Sequence, residues 1–229
     1  MQKSVVIVAG GAGLRMGSEV PKQFIIIGTR PILMHTITAF YEYDADINII
    51  LVLPHSQFTY WVELCQKHNF TIKHKVVRGG DSRFQSVKNG LNTIENTTNG
   101  LVAIHDGVRP FVDKHIIENS FQAAEKYGNG IVAVKLKDSI RIEQENGSNK
   151  AFDRSKCHLI QTPQTFKVAL IQKAFQQQES DLFTDDATVL EGIGEQIHLV
   201  EGSYKNIKIT TKEDLQIARA LLETHSPLL

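Results

Sequence analysis

Residues 4–17 read SVVIVAGGAGLRMG, an apolar, β-rich run that leads directly into a loop containing four glycines. Because glycine has no Cβ, the backbone amides of such a loop can approach an anion closely. The loop follows a first strand, and open α/β sheets bind their ligands at the carboxyl ends of strands. The spacing matches neither a P-loop nor a dinucleotide fingerprint. The stretch therefore predicts an α/β fold with an anion-binding loop, the alternative being a plain tight turn.

Similar apolar runs recur along the chain and alternate with helical patterns. Strands are predicted at 4–9, 47–53, 71–77, 101–105, 130–134 and 206–210, and helices at 31–43, 82–94, 113–127 and from Thr211 onward. Continuous apolar runs indicate strands that are covered on both faces. The alternation predicts one α/β domain over residues 1–229, with a doubly wound, mostly parallel sheet.

The composition narrows the class of protein. The chain has 229 residues, with 25 Lys+Arg balanced by 25 Asp+Glu. Zero net charge excludes a protein that holds nucleic acid by an overall positive field. No apolar run reaches the roughly 18 residues of a membrane span, and the N-terminus does not resemble a signal peptide. Cys65 and Cys157 lack a partner motif, as is typical of thiols in a reducing compartment. We therefore expect a cytoplasmic protein that binds neither nucleic acid nor membranes.

One polar segment, residues 135–157, breaks the alternation. It contains Asn146-Gly147, a strong hairpin-turn signal, between short β-like runs at 139–142 and 150–152. An isolated hairpin is marginally stable in water. The segment is therefore predicted to be a projecting two-stranded arm that packs against a second copy of the chain, making it a dimerisation arm.

Polar clusters follow several of the predicted strands. Arg15 and Lys22 could converge on a phosphate at the glycine loop, although a lone Lys22 could equally be solvated surface. In GGDSRFQS at 79–86, a capped helix start is the alternative to a site for the edge of a base. In HDGVR at 105–109, Asp106 and Arg109 could contact a ligand or simply pair with each other. Lys208 either extends along the surface or points into a cleft.

Other kinds of site find little support. Thr184-Asp185-Asp186 precedes a helical stretch and is better explained as a helix cap than as a metal site. The chain has neither a G-x-S-x-G elbow nor an H-E-x-x-H motif, and its histidines show no metal spacing. These observations exclude the common hydrolase and structural-zinc classes.

Taken together, the motifs AGGAGLRMG, PKQ, GGDSRFQSV, HDGVRPF, DR…QTPQ, TDDA and NIKIT resemble those of the 2-C-methyl-D-erythritol 4-phosphate cytidylyltransferases. The resemblance covers about residues 4 to 222, in the family's order. It implies a Rossmann-like nucleotidyltransferase fold, a homodimer, and transfer of CMP from CTP to 2-C-methyl-D-erythritol 4-phosphate. We expect the reaction to need Mg²⁺ spanning the triphosphate, held mainly by the CTP phosphates, with Asp106 as a candidate ligand.

The resemblance also implies roles for individual residues. Four are implied to be catalytic, one of them supplied by the partner's arm: Arg15, Lys22, Lys208 and, from the arm, Arg154. The nucleotide is implied to be bound by Ala9, Gly10, Gly11, Ala12, Gly13, Gly80, Asp81, Ser86 and Gly107. The acceptor is implied to be bound by Asp106, Arg109, Ser139 and Thr162.

Two departures from the family pattern concern the acceptor. Gly10 stands where alanine is common, and Gly107-Val108 stands where Ala-Ala is usual. Both resemble the related ribitol-5-phosphate cytidylyltransferases, so ribitol 5-phosphate is the alternative acceptor. A nucleotide-binding regulatory module without catalysis is the alternative from another functional class.

Overall fold

The computed structural model describes residues 1–11, 20–95 and 99–225. Within these ranges the central sheet has seven strands in the order β11-β7-β10-β6-β1-β4-β5. They are β1 Lys3–Val8, β4 Asn48–Leu53, β5 Lys75–Arg78, β6 Leu101–Asp106, β7 Asn129–Lys135, β10 His158–Lys167 and β11 Leu199–Glu201. Neighbouring strands are parallel, except that β10 runs antiparallel to β6 and β7. The predicted doubly wound, mostly parallel sheet is confirmed.

Helices cover both faces of the sheet. They are α1 Ile32–Tyr43, α2 Phe58–Lys67, α3 Arg83–Leu91, α4 Lys114–Tyr127, α5 Val168–Ala174, α6 Asp186–Glu191 and α7 Lys212–His225. Alternate residues of β1 supply the two faces: Val5 and Ile7 pack in one cluster with α1 and α4, and Val6 packs in another with α3 and α5. This burial on both sides explains why the strands are continuous apolar runs.

Two small hairpins lie outside the central sheet. Strands β2 Ile26–Ile27 and β3 Arg30–Pro31 precede α1, and their hairpin packs against α7. Strands β8 Ile140–Glu143 and β9 Asn149–Phe152 form the arm, with Gly147 at a φ of 78° in its turn. The predicted projecting arm is confirmed, and most of its residues are exposed.

The sequence prediction was wrong or incomplete at several elements. Residues 206–210 do not form a strand; this segment is instead held by side-chain bonds and by Ile209, whose N–H donates to the Val108 carbonyl at 3.0 Å. Strands β10 and β11 and helices α2 and α5 were not predicted. The parts of the chain that the structure describes contain no helix long and apolar enough to cross a bilayer.

Candidate active site

A cleft of about 240 Å³ opens at the carboxyl ends of β1 and β6. Its lining joins segments that are far apart in the sequence: Val8, Ala9, Gly10, Gly11, Lys22, Gln23, Gly80, Asp81, Ser82, Arg83, Ser86, Asp106, Val108 and Lys208. Most of the residues predicted to bind the nucleotide therefore lie together. Ala12, Gly13 and Arg15 lie outside the described residues.

The start of the glycine loop is fixed by a glutamine that the sequence analysis did not select. Gln23 is 1% exposed, and its side-chain amide donates to the Ala9 carbonyl at 2.8 Å. Gly11, two residues after Ala9, lies beside Lys22, because a Cβ built on Gly11 would stand 3.4 Å from the Lys22 Cε atom. Lys22 therefore lies beside the described start of the loop, residues 9–11, as expected for a cation that acts on a loop-bound phosphate.

The turn at 79–82 is held by the first turn of α3. The Ser82 hydroxyl accepts from the Gln85 N–H at 3.0 Å and caps the helix, as predicted. The Gln85 side chain accepts from the Asp81 N–H, and the Ser86 hydroxyl accepts from the Gly80 N–H, each at 3.1 Å. Ser86 is buried. Its hydroxyl shapes the Gly80 turn from behind, in addition to lining the cleft.

Asp106 is an ionised carboxylate between two cations. Its Oδ2 atom lies 3.1 Å from both the Arg109 Nε and the Lys208 Nζ atoms. Burial alone would raise its pKa, but the positive charges of Lys208, Arg83 and Arg109 hold the pKa well below its ordinary range. Asp106 and Arg109 therefore do pair with each other, which is one of the two alternatives that the sequence leaves open. Lys208 points into the cleft, as the second of its two alternatives predicts.

A chain of hydrogen bonds supports this turn from below. The Thr162 hydroxyl accepts from the Asp106 N–H at 3.0 Å and lies 3.1 Å from His105 Nδ1. The Arg109 carbonyl can only accept, so His105 Nε2, 3.1 Å away, carries a proton and donates to it. In the neutral imidazole Nδ1 is then the acceptor, so the Thr162 hydroxyl donates its single proton to Nδ1.

His105 is consequently a neutral residue of the core. It is fully buried, and this burial lowers its pKa to about 4. Thr162, predicted to bind the acceptor, is 4% exposed and has its hydroxyl committed to this network.

The segment that carries Lys208 is tied to the same network through Asn206. Arg109 Nη1 donates to the Asn206 carbonyl at 2.8 Å. The buried Asn206 amide donates to the Thr162 carbonyl at 2.8 Å and to Gln161 Oε1 at 3.2 Å. These bonds replace a strand ladder, which is why residues 206–210 are ordered without belonging to the sheet.

Gly107 lies behind the cleft and is not part of its lining. A Cβ at Gly107 would stand 2.8 Å from the Ala9 Cβ, so the two loops approach at a distance that only glycine allows. Its carbonyl accepts from the Thr36 hydroxyl of α1 at 3.1 Å. The close approach of the two loops therefore explains the glycine at position 107.

The two predicted residues of the arm do not reach the cleft of their own chain. Ser139 is exposed. Arg154 is exposed in a short 3-10 turn, where its guanidinium donates to the Lys137 carbonyl.

The motif at 184–186 is a helix cap, as predicted. Asp185 caps α6 in a reciprocal capping box with Thr188. Asp186 is fully buried and makes two hydrogen bonds to Arg83, at 2.8 and 2.6 Å. Within the described ranges no group of three or more acidic, histidine or cysteine residues could hold a metal ion.

Comparisons with known proteins agree with one another. The family model of 2-C-methyl-D-erythritol 4-phosphate cytidylyltransferase matches residues 4–224. Proteins of that name from Bacteroides thetaiotaomicron and Azobacteroides pseudotrichonymphae are 48% and 50% identical to this chain; the matches span 97% of this chain and 100% and 99% of the relatives.

Solved structures extend the likeness to the fold. The 4-diphosphocytidyl-2C-methyl-D-erythritol synthase from Anaerococcus prevotii has a TM-score of 0.83 at 30% identity, over 97% of this chain and 96% of that one. The 2-C-methyl-D-erythritol 4-phosphate cytidylyltransferase from Thermus thermophilus has a TM-score of 0.78 at 28% identity, over 97% of this chain and all of that one.

Proposed function

The chain belongs to the 2-C-methyl-D-erythritol 4-phosphate cytidylyltransferase family, and we propose that the cleft at the ends of β1 and β6 is its active site. The enzyme transfers CMP from CTP to 2-C-methyl-D-erythritol 4-phosphate, which gives 4-diphosphocytidyl-2-C-methyl-D-erythritol and pyrophosphate for isoprenoid precursor synthesis. The observation that carries the site assignment is the convergence of the glycine loop, Lys22, the turn at 80–81, Asp106 and Lys208 on one cleft.

The chemistry requires electrostatic stabilisation more than proton transfer. The attacking phosphate is already an anion near neutral pH, so it needs no general base. This agrees with a His105 that is buried, neutral and bonded on both nitrogens. Bringing two polyanions together requires fixed donors where charge develops at the α-phosphate of CTP. Arg15, Lys22 and the amides of Gly10, Gly11 and Gly13 supply them in this proposal, with Ala9 and Ala12 as the other loop positions.

The remaining cleft residues divide between the two substrates. Gly80, Asp81 and Ser86 bind the base and ribose, and Gly107 allows the two loops to meet. Lys208 and Arg109 align the acceptor phosphate, and Asp106 keeps both side chains in place. Thr162 contributes by holding the Asp106 turn from behind the cleft, in addition to its proposed contact with the acceptor.

Mg²⁺ is the proposed cofactor, carried into the cleft by CTP. The donor set fits this arrangement, because Asp106 and Asp81 are the carboxylates among the described lining residues, and both cations that contact Asp106 do so at its Oδ2 atom. Magnesium is commonly held by one or two carboxylates together with substrate phosphates. When bound, the ion neutralises charge along the triphosphate, and Asp106 is the residue proposed to contact it.

We propose that the active enzyme is a homodimer in which the arm, residues 135–157, reaches the partner's cleft. The support is that Arg154 and Ser139 are exposed on the arm and away from their own cleft. Ile142 and Phe152 on the arm are also about 45% exposed, as is typical of apolar residues in a surface that packs against another chain. A cytoplasmic location is proposed from the free thiols of Cys65 and Cys157.

Mixing inactive subunits tests the arm. Arg154→Ala and Lys22→Ala chains should each be inactive, and a mixture that exchanges subunits should recover activity, because half of the sites in the mixed dimer keep both residues. Confirmed exchange without recovery would show that Arg154 acts within its own subunit.

Pyrophosphate release tests the reaction. With CTP and Mg²⁺, we expect release to depend on 2-C-methyl-D-erythritol 4-phosphate and to be much slower with ribitol 5-phosphate. Equal or faster turnover of ribitol 5-phosphate would contradict the proposed acceptor. CTP binding without release for either acceptor would instead indicate a regulatory module.

A further inference from the structure

Two of the sequence motifs contain charged residues to which the mechanism assigns no role. Arg83 belongs to GGDSRFQSV and Asp186 to TDDA, 103 positions later. Their side chains meet in a two-point ion pair, with Nη1 2.8 Å from Oδ1 and Nη2 2.6 Å from Oδ2. The Asp186 side chain is completely buried, whereas 33% of the Arg83 side chain is exposed. Arg83 therefore forms part of the wall of the cleft, and the buried Asp186 supports it from behind.

Arg83 is attached to the turn that faces the nucleotide. It is the first residue of α3, directly after the turn at 80–81 and its cap Ser82. Gln85 and Ser86, in the same first helical turn, bind the amides of Asp81 and Gly80. Any movement of the first turn of α3 would therefore move these two amides with it.

Asp186 is a rigid anchor for this turn. It is the first residue of α6, whose start is fixed by the Asp185 capping box. The side chain of Gln164, on β10, holds the same helix start. Its Nε2 atom donates to Asp185 Oδ2 at 2.9 Å, and its Oε1 atom accepts from the Ala187 N–H at 2.8 Å. The ion pair thus connects the turn at 80–81 to the central sheet through α6.

The pair is suited to setting geometry. A planar guanidinium bound at two points by a carboxylate fixes orientation as well as distance, which a lysine cannot do. The charges of the pair cancel, so it adds little net field at the triphosphate, whereas Lys22 and Lys208 bring positive charge to the cleft.

We propose that Arg83 is a positioning residue for CTP, because its two-point ion pair with Asp186 holds the first turn of α3, and with it the turn at 80–81, in the orientation that binds the nucleotide. This inference rests on the proposed function of the cleft. It predicts a defect in CTP binding and leaves the reaction of bound substrates largely intact.

Arg83→Lys is the most informative single variant, since it keeps the charge and removes the two-point geometry. We expect KM for CTP and the CTP dissociation constant from calorimetry to rise about 10- to 100-fold, while kcat at saturating CTP stays within about threefold. The double variant Arg83→Met/Asp186→Leu removes both charges and keeps apolar volume, which preserves folding in comparable buried pairs. It should melt near the wild-type temperature and still bind CTP weakly.

Gln177→Leu is the matched control. The Gln177 amide ties α6 to the preceding segment through bonds to the Ala174 and Val189 carbonyls at 2.9 and 2.8 Å, and neither bond involves Arg83. This variant should lower the melting temperature without changing KM for CTP. If it raises KM as much as Arg83→Lys does, the effect is general loosening of α6 and the inference is wrong.

Two further results would overturn the inference. One is wild-type KM for CTP in Arg83→Lys; the other is wild-type CTP affinity in a well-folded double variant. Failure of the proposed function itself would be recognised separately, because the wild-type enzyme would then neither bind CTP nor release pyrophosphate.

Discussion

Thr162→Val removes one oxygen from the centre of the network beneath Asp106. Valine has nearly the same shape as threonine, so the change leaves the packing intact and deletes two hydrogen bonds, at 3.0 Å to the Asp106 N–H and 3.1 Å to His105 Nδ1. Each buried group left without a partner costs about 1–3 kcal/mol. We therefore expect the free energy of unfolding to fall by about 2–6 kcal/mol.

Urea unfolding followed by the fluorescence of Trp61, the single tryptophan, measures this change. Thr162→Ser is the control, because it keeps the hydroxyl and loses only a methyl group, at about 1 kcal/mol. We also expect kcat to fall in the valine variant, since the Asp106 turn that holds Lys208 loses its support. A valine variant as stable as the serine variant would refute the assigned network. If Thr162→Val loses stability as expected but keeps the wild-type kcat, the network does not position the Asp106 turn.

Three other perturbations test separate parts of the account. Lys22→Ala should lower kcat by about 10²–10³ at an unchanged urea midpoint, so near-normal turnover would remove Lys22 from the mechanism. Burial lowers the pKa of His74 below its ordinary 6.5, and its Nε2 accepts from the Trp61 indole at 2.9 Å. The neutral form is the one favoured by folding, so stability should be full above pH 6.5 and decline as the pH falls below it. Urea midpoints of wild type and His74→Phe, each measured at two pH values, check this. An equal fall of the midpoint in both proteins at the lower pH would contradict the role of His74. Gly90→Ala places a Cβ 2.6 Å from Val6 Cγ1 and should destabilise by about 1–3 kcal/mol, whereas an unchanged midpoint would show that α3 can shift outward.

The sequence predicted best where a local pattern decides the structure. Apolar runs identified β1, β4 and β6, because strands buried on both faces need apolar residues at every position. The Asn146-Gly147 turn identified the arm, and Ser82 and Asp185 identified helix starts. Each of these features depends on residues that are neighbours in the chain.

Features that depend on distant partners were not predictable. Strand β10 contains Gln161, Thr162 and Gln164, polar residues that are buried because the fold supplies hydrogen-bond partners. The NIKIT pattern favours a strand, but Asn206 bonds to β10 through its side chain and to Arg109 through its carbonyl, and no ladder forms.

The same limit applies to the site. Motif positions indicated that several of the cleft residues would lie at one edge of the sheet, because strands of a parallel sheet end at the same edge. They gave no sign that Arg83 pairs with Asp186, or that the Thr162 hydroxyl supports the Asp106 turn from behind the cleft. Gln23 was missed for a related reason: nothing in the local sequence distinguishes a buried glutamine from an exposed one.

The central claim is that this cleft joins the α-phosphate of CTP to a polyol phosphate. Phosphorus NMR of the purified enzyme with CTP, Mg²⁺ and 2-C-methyl-D-erythritol 4-phosphate tests it directly. We predict loss of the acceptor's phosphate signal, equal amounts of free pyrophosphate, and two coupled signals from a new diphosphate that carries cytidine at one end. Formation of CMP or CDP with the acceptor phosphate unchanged would contradict the account.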